Sequence, residues 1–206
     1  MADMTPFRAA VVAWAAGGLD DEPLRESAER SSVRTVVLLE GPSDAAAVDT
    51  LAERRGRNLA ADGVCLLSMG GAMSVGRFAR LLGPSGCGLR LTGLCDARER
   101  DYYARGWERA GADPSEFFVC EADLEDELIR ALGVDLVTEL VRAEGDLRPL
   151  RTFLRQPAQR ERTAGQQLRR FFGTKKGRKV HYGRVLAEAL APDRVPAPLS
   201  GLFAVL

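Results

Sequence analysis

Val36-Val37-Leu38-Leu39-Glu40-Gly41-Pro42-Ser43-Asp44 is the stretch on which the reading of this chain turns. It completes a short apolar, β-branched run that starts at Val33 and stops at a Gly-Pro turn. A run of that length bounded by turn residues predicts a buried strand. Ser43 or Asp44 then starts a helix through Arg54, with Ala47, Val48 and Leu51 on its inner face. Glu40 is left immediately after the strand, and Asp44 one helical turn beyond it.

The same alternation continues outward. Val64–Ser68 predicts a second strand, ending at Gly70-Gly71, and Ser74–Leu82 a helix. Leu89–Cys95 predicts a third strand ending at Asp96, and Tyr102–Ala110 a helix. Glu116–Cys120 predicts a fourth strand, running into Glu121-Ala122-Asp123-Leu124-Glu125. Strands alternating with helices imply an α/β fold: a parallel four-stranded sheet with flanking helices. Beyond Leu124 the pattern is helical only, with candidates at Asp123–Leu132, Leu136–Ala143, Leu147–Leu154, Gln166–Phe172 and Val180–Leu190. Pro192, Pro196 and Pro198 break the tail before Leu199–Leu206. Before the first strand, Thr5-Pro6 with Phe7, Ala10, Val11 and Trp14 predicts a capped helix stopped by Gly17-Gly18. Leu19–Ser32 is charged and polar and reads as a solvated linker with at most a helical turn. The organisation expected is residues 1–32 as helix and linker, 33–133 as the core, and 134–206 as a basic helical extension.

Composition narrows the class. An apolar fraction of 46% in 206 residues is enough for a packed core without metal or disulfide support. No apolar run approaches the length of a membrane span, and Ala9–Ala16 lacks the basic leader of a signal peptide. Cys65, Cys87, Cys95 and Cys120 form no C-x-x-C pair, which excludes both a zinc knuckle and a secreted disulfide framework. A cytoplasmic protein is expected. Net charge is zero but sorted along the chain: eleven acids against two arginines from Asp113 to Asp146, then twelve Lys/Arg against Glu161 alone from Arg148 to Arg184. That asymmetry suits a charge-sorted surface, or two solvated faces that partly pair.

The acids occupy informative positions. Ligands of open parallel sheets bind beyond the carboxyl ends of the strands. Glu40, Asp96, Glu121 and Glu125 all follow strands, and Asp44 follows Glu40. Any one of them read alone is more often a cap or turn residue. Together they would repel unless a cation neutralised them, and hard oxygen ligands suit Mg²⁺ or Mn²⁺.

The ordered set resembles TOPRIM domains. Leu39-Glu40-Gly41 with Asp44 is similar to their first signature, and Leu91-Thr92-Gly93-Leu94-Cys95-Asp96 to the second. Leu66-Leu67-Ser68-Met69-Gly70-Gly71 resembles the glycine-bearing second strand end. Within TOPRIM proteins the resemblance is closest to the OLD-family endonucleases, through Asp123-Leu124-Glu125 after the fourth strand and Lys179 ahead of the Val180–Leu190 helix. It runs from roughly Val33 to Leu190. It implies metal-dependent phosphodiester hydrolysis of nucleic acid, DNA favoured, with two Mg²⁺ or Mn²⁺ ions. Glu40 and Asp96 would hold one ion; Asp44 and Glu125 would help hold the second. Glu40 is also allowed as general base, and Lys179 would stabilise charge on the phosphate. Lys175, Lys176, Arg178 and Lys179 would contact nucleic acid. OLD proteins carry an ATPase ahead of this part, so a stand-alone TOPRIM protein is expected here, with a separate ATPase among the partners the resemblance allows. An oligomer is allowed as well.

One departure stands out. The pattern Asp-x-Asp is replaced by Asp96-Ala97-Arg98, leaving Glu99 or Asp101 as substitutes, or one weaker metal position. The competing function is therefore a weakened TOPRIM module that binds nucleic acid or a partner ATPase. Nucleotidyl transfer and ribonuclease activity are further alternatives. No ATP site is expected: Gly83-Pro84-Ser85-Gly86-Cys87-Gly88 begins like a phosphate loop but continues Leu89-Arg90 instead of Lys-Ser/Thr, between a helix and a strand rather than the reverse.

Overall fold

The computed structural model describes residues 3–17 and 22–206. Four strands, β1 (Thr35–Leu39), β2 (Val64–Ser68), β3 (Arg90–Asp96) and β4 (Phe117–Cys120), form one parallel sheet in the order β2-β1-β3-β4. Val37 lies in register with Leu66 on one side and Thr92 on the other, and Asp96 with Cys120. Every residue of β1 is buried, as expected of a strand covered on both faces.

The two-residue period of β1 divides the core. Val37 and Leu39 face one cluster, and Val36 and Leu38 the other. The second cluster is closed by α1 (Thr5–Ala15), α2 (Glu22–Arg30), α4 (Val75–Leu82) and α5 (Arg100–Ala110), through side chains such as Phe7, Leu24, Phe78 and Trp107. The first is closed by α3 (Pro42–Arg54) and α6 (Leu124–Leu132), then by α7 (Val134–Ala143), α8 (Leu147–Leu154), α9 (Ala164–Phe172), α10 (Arg178–Ala189) and α11 (Ala197–Val205). Residues 134–206 therefore share one apolar core with the sheet: Val137, Leu150, Phe171 and Leu186 belong to the same cluster as Val37.

Two segments differ from expectation. The supposed linker holds α2, which buries only Leu24, Ser27 and Ala28. A stripe that narrow, flanked by charges, resembles a solvated segment in sequence. Gly18 and Leu19–Asp21 lie outside the described residues. The proline-broken tail forms α11, because Pro196 and Pro198 fall just before and in its first turn, where proline is tolerated. Its Gly201 lies so close to β4 that a Cβ there would sit 2.5 Å from the Phe118 ring. The helix thus lies flat against β4, and the Val205 carbonyl accepts from Arg90 Nη1 at 2.7 Å.

Candidate active site

The strand order places the site. The chain leaves β1 through α3 on one face to reach β2, then returns over the opposite face through α4 to reach β3. The connections diverge between β1 and β3, and the crevice outside their carboxyl ends is the topological switch point of an open α/β sheet. Glu40 follows β1 there, and Asp96 ends β3.

The structure brings Glu40 and Asp96 together and adds Glu99. One carboxylate oxygen from each lies within 4.8 Å of the others. Glu99 comes from the single 3-10 turn Ala97–Glu99 that follows β3, which swings residue 99 back over the strand end. Arg98, at the position of the second Asp, is exposed, and so is Asp101. Of the two substitutes considered, Glu99 is the one that joins the group. None of the three carboxylates forms an ion pair with a described residue, and Glu99 Oε2 is buried without a hydrogen-bond partner.

Asp44 and Glu125 stand behind this trio. Gly41 is the extended N-cap of α3, and its N–H donates to Asp44 Oδ2 at 2.9 Å, so Asp44 caps the start of α3 from within its first turn. Glu125, 2% exposed, lies in the first turn of α6 with Oε2 3.0 Å from Lys179 Nζ, and Ser43 beside it helps hold its pKa down. Its neighbour Asp123 caps α6 by accepting from Asp126 N–H and forms an ion pair with Arg169 of α9. Glu121 points outward to Arg130.

The electrostatics follow from this crowding. Burial, then Glu125, pushes Asp44 up to about 7, although Gly41 and Lys179 pull the other way. Burial, then Asp123, Glu40 and Glu99, pushes Asp96 up to about 7. Glu99 is raised by burial and by Glu40. Glu125 is also raised by burial, against the pull of Lys179. Burial works against the Lys179 ammonium, but the carboxylates of Glu125, Asp44 and Asp123 together outweigh it and its pKa rises. A row of carboxylates at a crevice, with a buried oxygen left unmatched, fits a hard divalent cation.

Lys179 reaches Glu125 because α10 packs tightly on α3. Gly183, one turn after Lys179, lies against Ser43, where a Cβ would come 2.7 Å from the Ser43 carbonyl oxygen. Lys179 itself lies in the first turn of α10 rather than ahead of the helix. Lys175 and Lys176 are exposed in the turn between α9 and α10. Arg178 is placed otherwise. Its side chain is 9% exposed, paired with Asp146 and stacked over Phe171 at 4.2 Å, so it braces the fold instead of facing solvent with the lysines. Arg169 was not legible as a site residue: it lies 46 positions from Asp123, and nothing local links them.

Comparison with known proteins agrees with this geometry. Residues 33–97 match the family described as Overcoming lysogenization defect protein-like, TOPRIM domain. The C-terminal region of the Xanthomonas campestris pv. campestris OLD protein, in a structure phased with mercury, superimposes with a TM-score of 0.63 at 23% identity, covering 84% of this chain and 93% of that one. The C-terminal region of the Burkholderia pseudomallei OLD protein gives 0.64 at 18% identity, covering 84% and 96%. No curated protein matches. No helix among the described residues is long and apolar enough to cross a membrane. Residues 33–97 thus match an OLD-like TOPRIM domain, and the four-stranded parallel fold is shared with the C-terminal regions of OLD proteins.

Proposed function

We propose that this chain hydrolyses phosphodiester bonds of nucleic acid with a divalent metal, DNA being the favoured substrate. The observation that carries this reading is the trio Glu40, Asp96 and Glu99, mutually within 4.8 Å at the switch point and without an ion-pair partner among the described residues. These three would hold one Mg²⁺ or Mn²⁺; Asp44 and Glu125 belong to the second position. Such an ion, when bound, supplies Lewis acidity and an acidified water.

The chain's own groups do the rest. Glu40 would accept a proton from an attacking water at the crevice. Lys179 sets a positive charge beside the row, where it would oppose the negative charge growing on a phosphate. Lys175 and Lys176 would hold the backbone of the substrate without reading its sequence.

The test is nicking of supercoiled plasmid with Mn²⁺ or Mg²⁺. Activity should disappear in Glu40→Gln and in Asp96→Asn. Undiminished nicking by both variants rejects the reading. Labelled RNA in the same assay decides the ribonuclease alternative, and labelled nucleoside triphosphates the nucleotidyl-transfer one.

A second reading has its own observation. Arg98 stands where the pattern has Asp, and Lys179 already neutralises Glu125. A weakened module that binds nucleic acid without cutting it would show both. Calorimetric titration with Mn²⁺ separates the two, since a weakened site gives little or no heat of binding.

A further inference from the structure

Next to the acidic row is a cleft that the proposed chemistry leaves unassigned. A cavity of about 590 Å³ starts at Asp123 and Lys179 and is walled by Arg169, Arg170 and Thr174. A second, of about 480 Å³, continues from it: both are lined by Phe153 and Thr174, and the second extends to Arg148 and Thr152. Together they follow the seam between α8, α9 and the start of α10, leading away from the carboxylates.

The charge of this seam is one-sided. Its one acidic lining residue, Asp123, is matched by Arg169, and the Arg178 guanidinium is matched by Asp146. Arg148 and Arg170 make no ion pair with a described residue, and both are exposed. On α8, Arg148 and Thr152 are four apart and therefore share a face. Lys175 and Lys176, exposed in the turn after α9, directly follow the lining residue Thr174. The floor is apolar, with Phe153 and Phe171 presenting little open ring surface: they are 8% and 1% exposed. A cleft with a nearly closed apolar floor and guanidinium walls binds anions along its edges rather than bases by stacking. A run of spaced anions that must end at a metal-binding carboxylate row is a phosphodiester backbone.

We infer that the α8–α9 cleft is the track for the nucleic-acid strand on one side of the scissile phosphate, with Arg148 and Arg170 as its phosphate contacts. This inference rests on the proposed nuclease reading, and it adds where the substrate lies. Arg169 holds Asp123 at the mouth of the track. Arg170, in the first cavity, and Arg148, in the second, hold successive positions along it.

Anisotropy of a fluorescein-labelled single-stranded DNA 20-mer in EDTA tests the track, because no cleavage occurs there. The Arg148→Ala/Arg170→Ala double variant should bind at least about tenfold more weakly than the native chain. The slope of log K against log[salt] should flatten by about 1.4, from two lost contacts at roughly 0.7 each on a single strand. Arg25→Ala, on the exposed side of α2, is the charge control and should change neither. Native affinity in the double variant, an equal loss in Arg25→Ala, or no binding by the native chain each overturns the track. The outcome is separable from that of the nuclease reading. Binding that depends on the two arginines, without any nicking in Mn²⁺, keeps the track and removes the nuclease. Nicking with arginine-independent binding does the reverse.

Discussion

The carboxylate row has two halves that solve the same problem differently. Asp123 and Glu125 each have a cation from the chain, Arg169 and Lys179. Glu40, Asp96 and Glu99 have one another and no such partner among the described residues. Burial and the neighbouring carboxylates hold Asp96 and Glu99 above the ordinary carboxylate range. In the first half those cations offset part of the cost of burial, although burial still raises the Glu125 carboxyl. The second is unfavourable to the fold when ionised alone, which is the expected signature of a site made for an exogenous ion.

The largest effect that would break this contrast is expected at Asp96. Asp96→Asn should lower metal-dependent nicking by more than about 100-fold, beyond the 10- to 100-fold typical of residues around a metal rather than on it. The same variant should raise the thermal midpoint of the metal-free protein, because it removes a repelled charge. A midpoint that falls in EDTA would show that Asp96 is satisfied as it is.

The opposite sign is expected across the row. Lys179→Met leaves the buried Glu125 carboxylate unmatched. It should cost about 1–3 kcal/mol in urea denaturation, less than the loss of a fully buried pair because Lys179 is half exposed. Adding Glu125→Gln should restore most of that stability. If the single variant is neutral, the pair contributes nothing and the two halves are alike.

Acidity sharpens the contrast further. Asp44 and Asp96 stand at about 7, above the ordinary carboxylate value of 3.8, so the folded chain retains their protons where the unfolded chain has released them. Their contribution to metal-free stability is therefore fully present below about pH 4 and is lost as the pH rises through about 7. Metal must displace those protons. The stabilisation by Mn²⁺, read as the shift in thermal midpoint, should be small at pH 5.5 and large at pH 8 after correction for the metal-free baseline. A shift independent of pH would place the ion elsewhere.

The smallest effect distinguishes Glu99 from its neighbour. Glu99→Gln should weaken Mn²⁺ binding about tenfold by calorimetry, whereas Asp101→Asn should leave it unchanged. Equal effects would remove Glu99 from the ligand group.

Much of this was legible in the sequence because β-strand ends are marked locally. Glu40-Gly41-Pro42 and the apolar run into Asp96 set the carboxyl edge of the sheet, and the second strand was placed to the residue at Val64–Ser68. What escaped was set by long-range packing. Nothing near Arg169 indicates Asp123, and nothing near Arg178 shows that Asp146 would bury it. Glu99 and Asp101 were equivalent in sequence; the short 3-10 turn after β3 turns one inward and leaves the other in solvent. Segment α2 was missed because three small contacts are enough to anchor a helix onto a core that other elements have already built.

The Ser43–Gly183 contact has a consequence for reading natural variation. Ser43 lowers the Glu125 pKa and meets the α10 backbone through its carbonyl, so one residue joins the electrostatic and the steric constraints. A single methyl group at position 183 would wedge the two helices apart and carry the ammonium of residue 179 away with it. Loss of function in this protein should therefore map onto chemically silent positions as readily as onto its acids, and a variant with every charged group intact can still be inert.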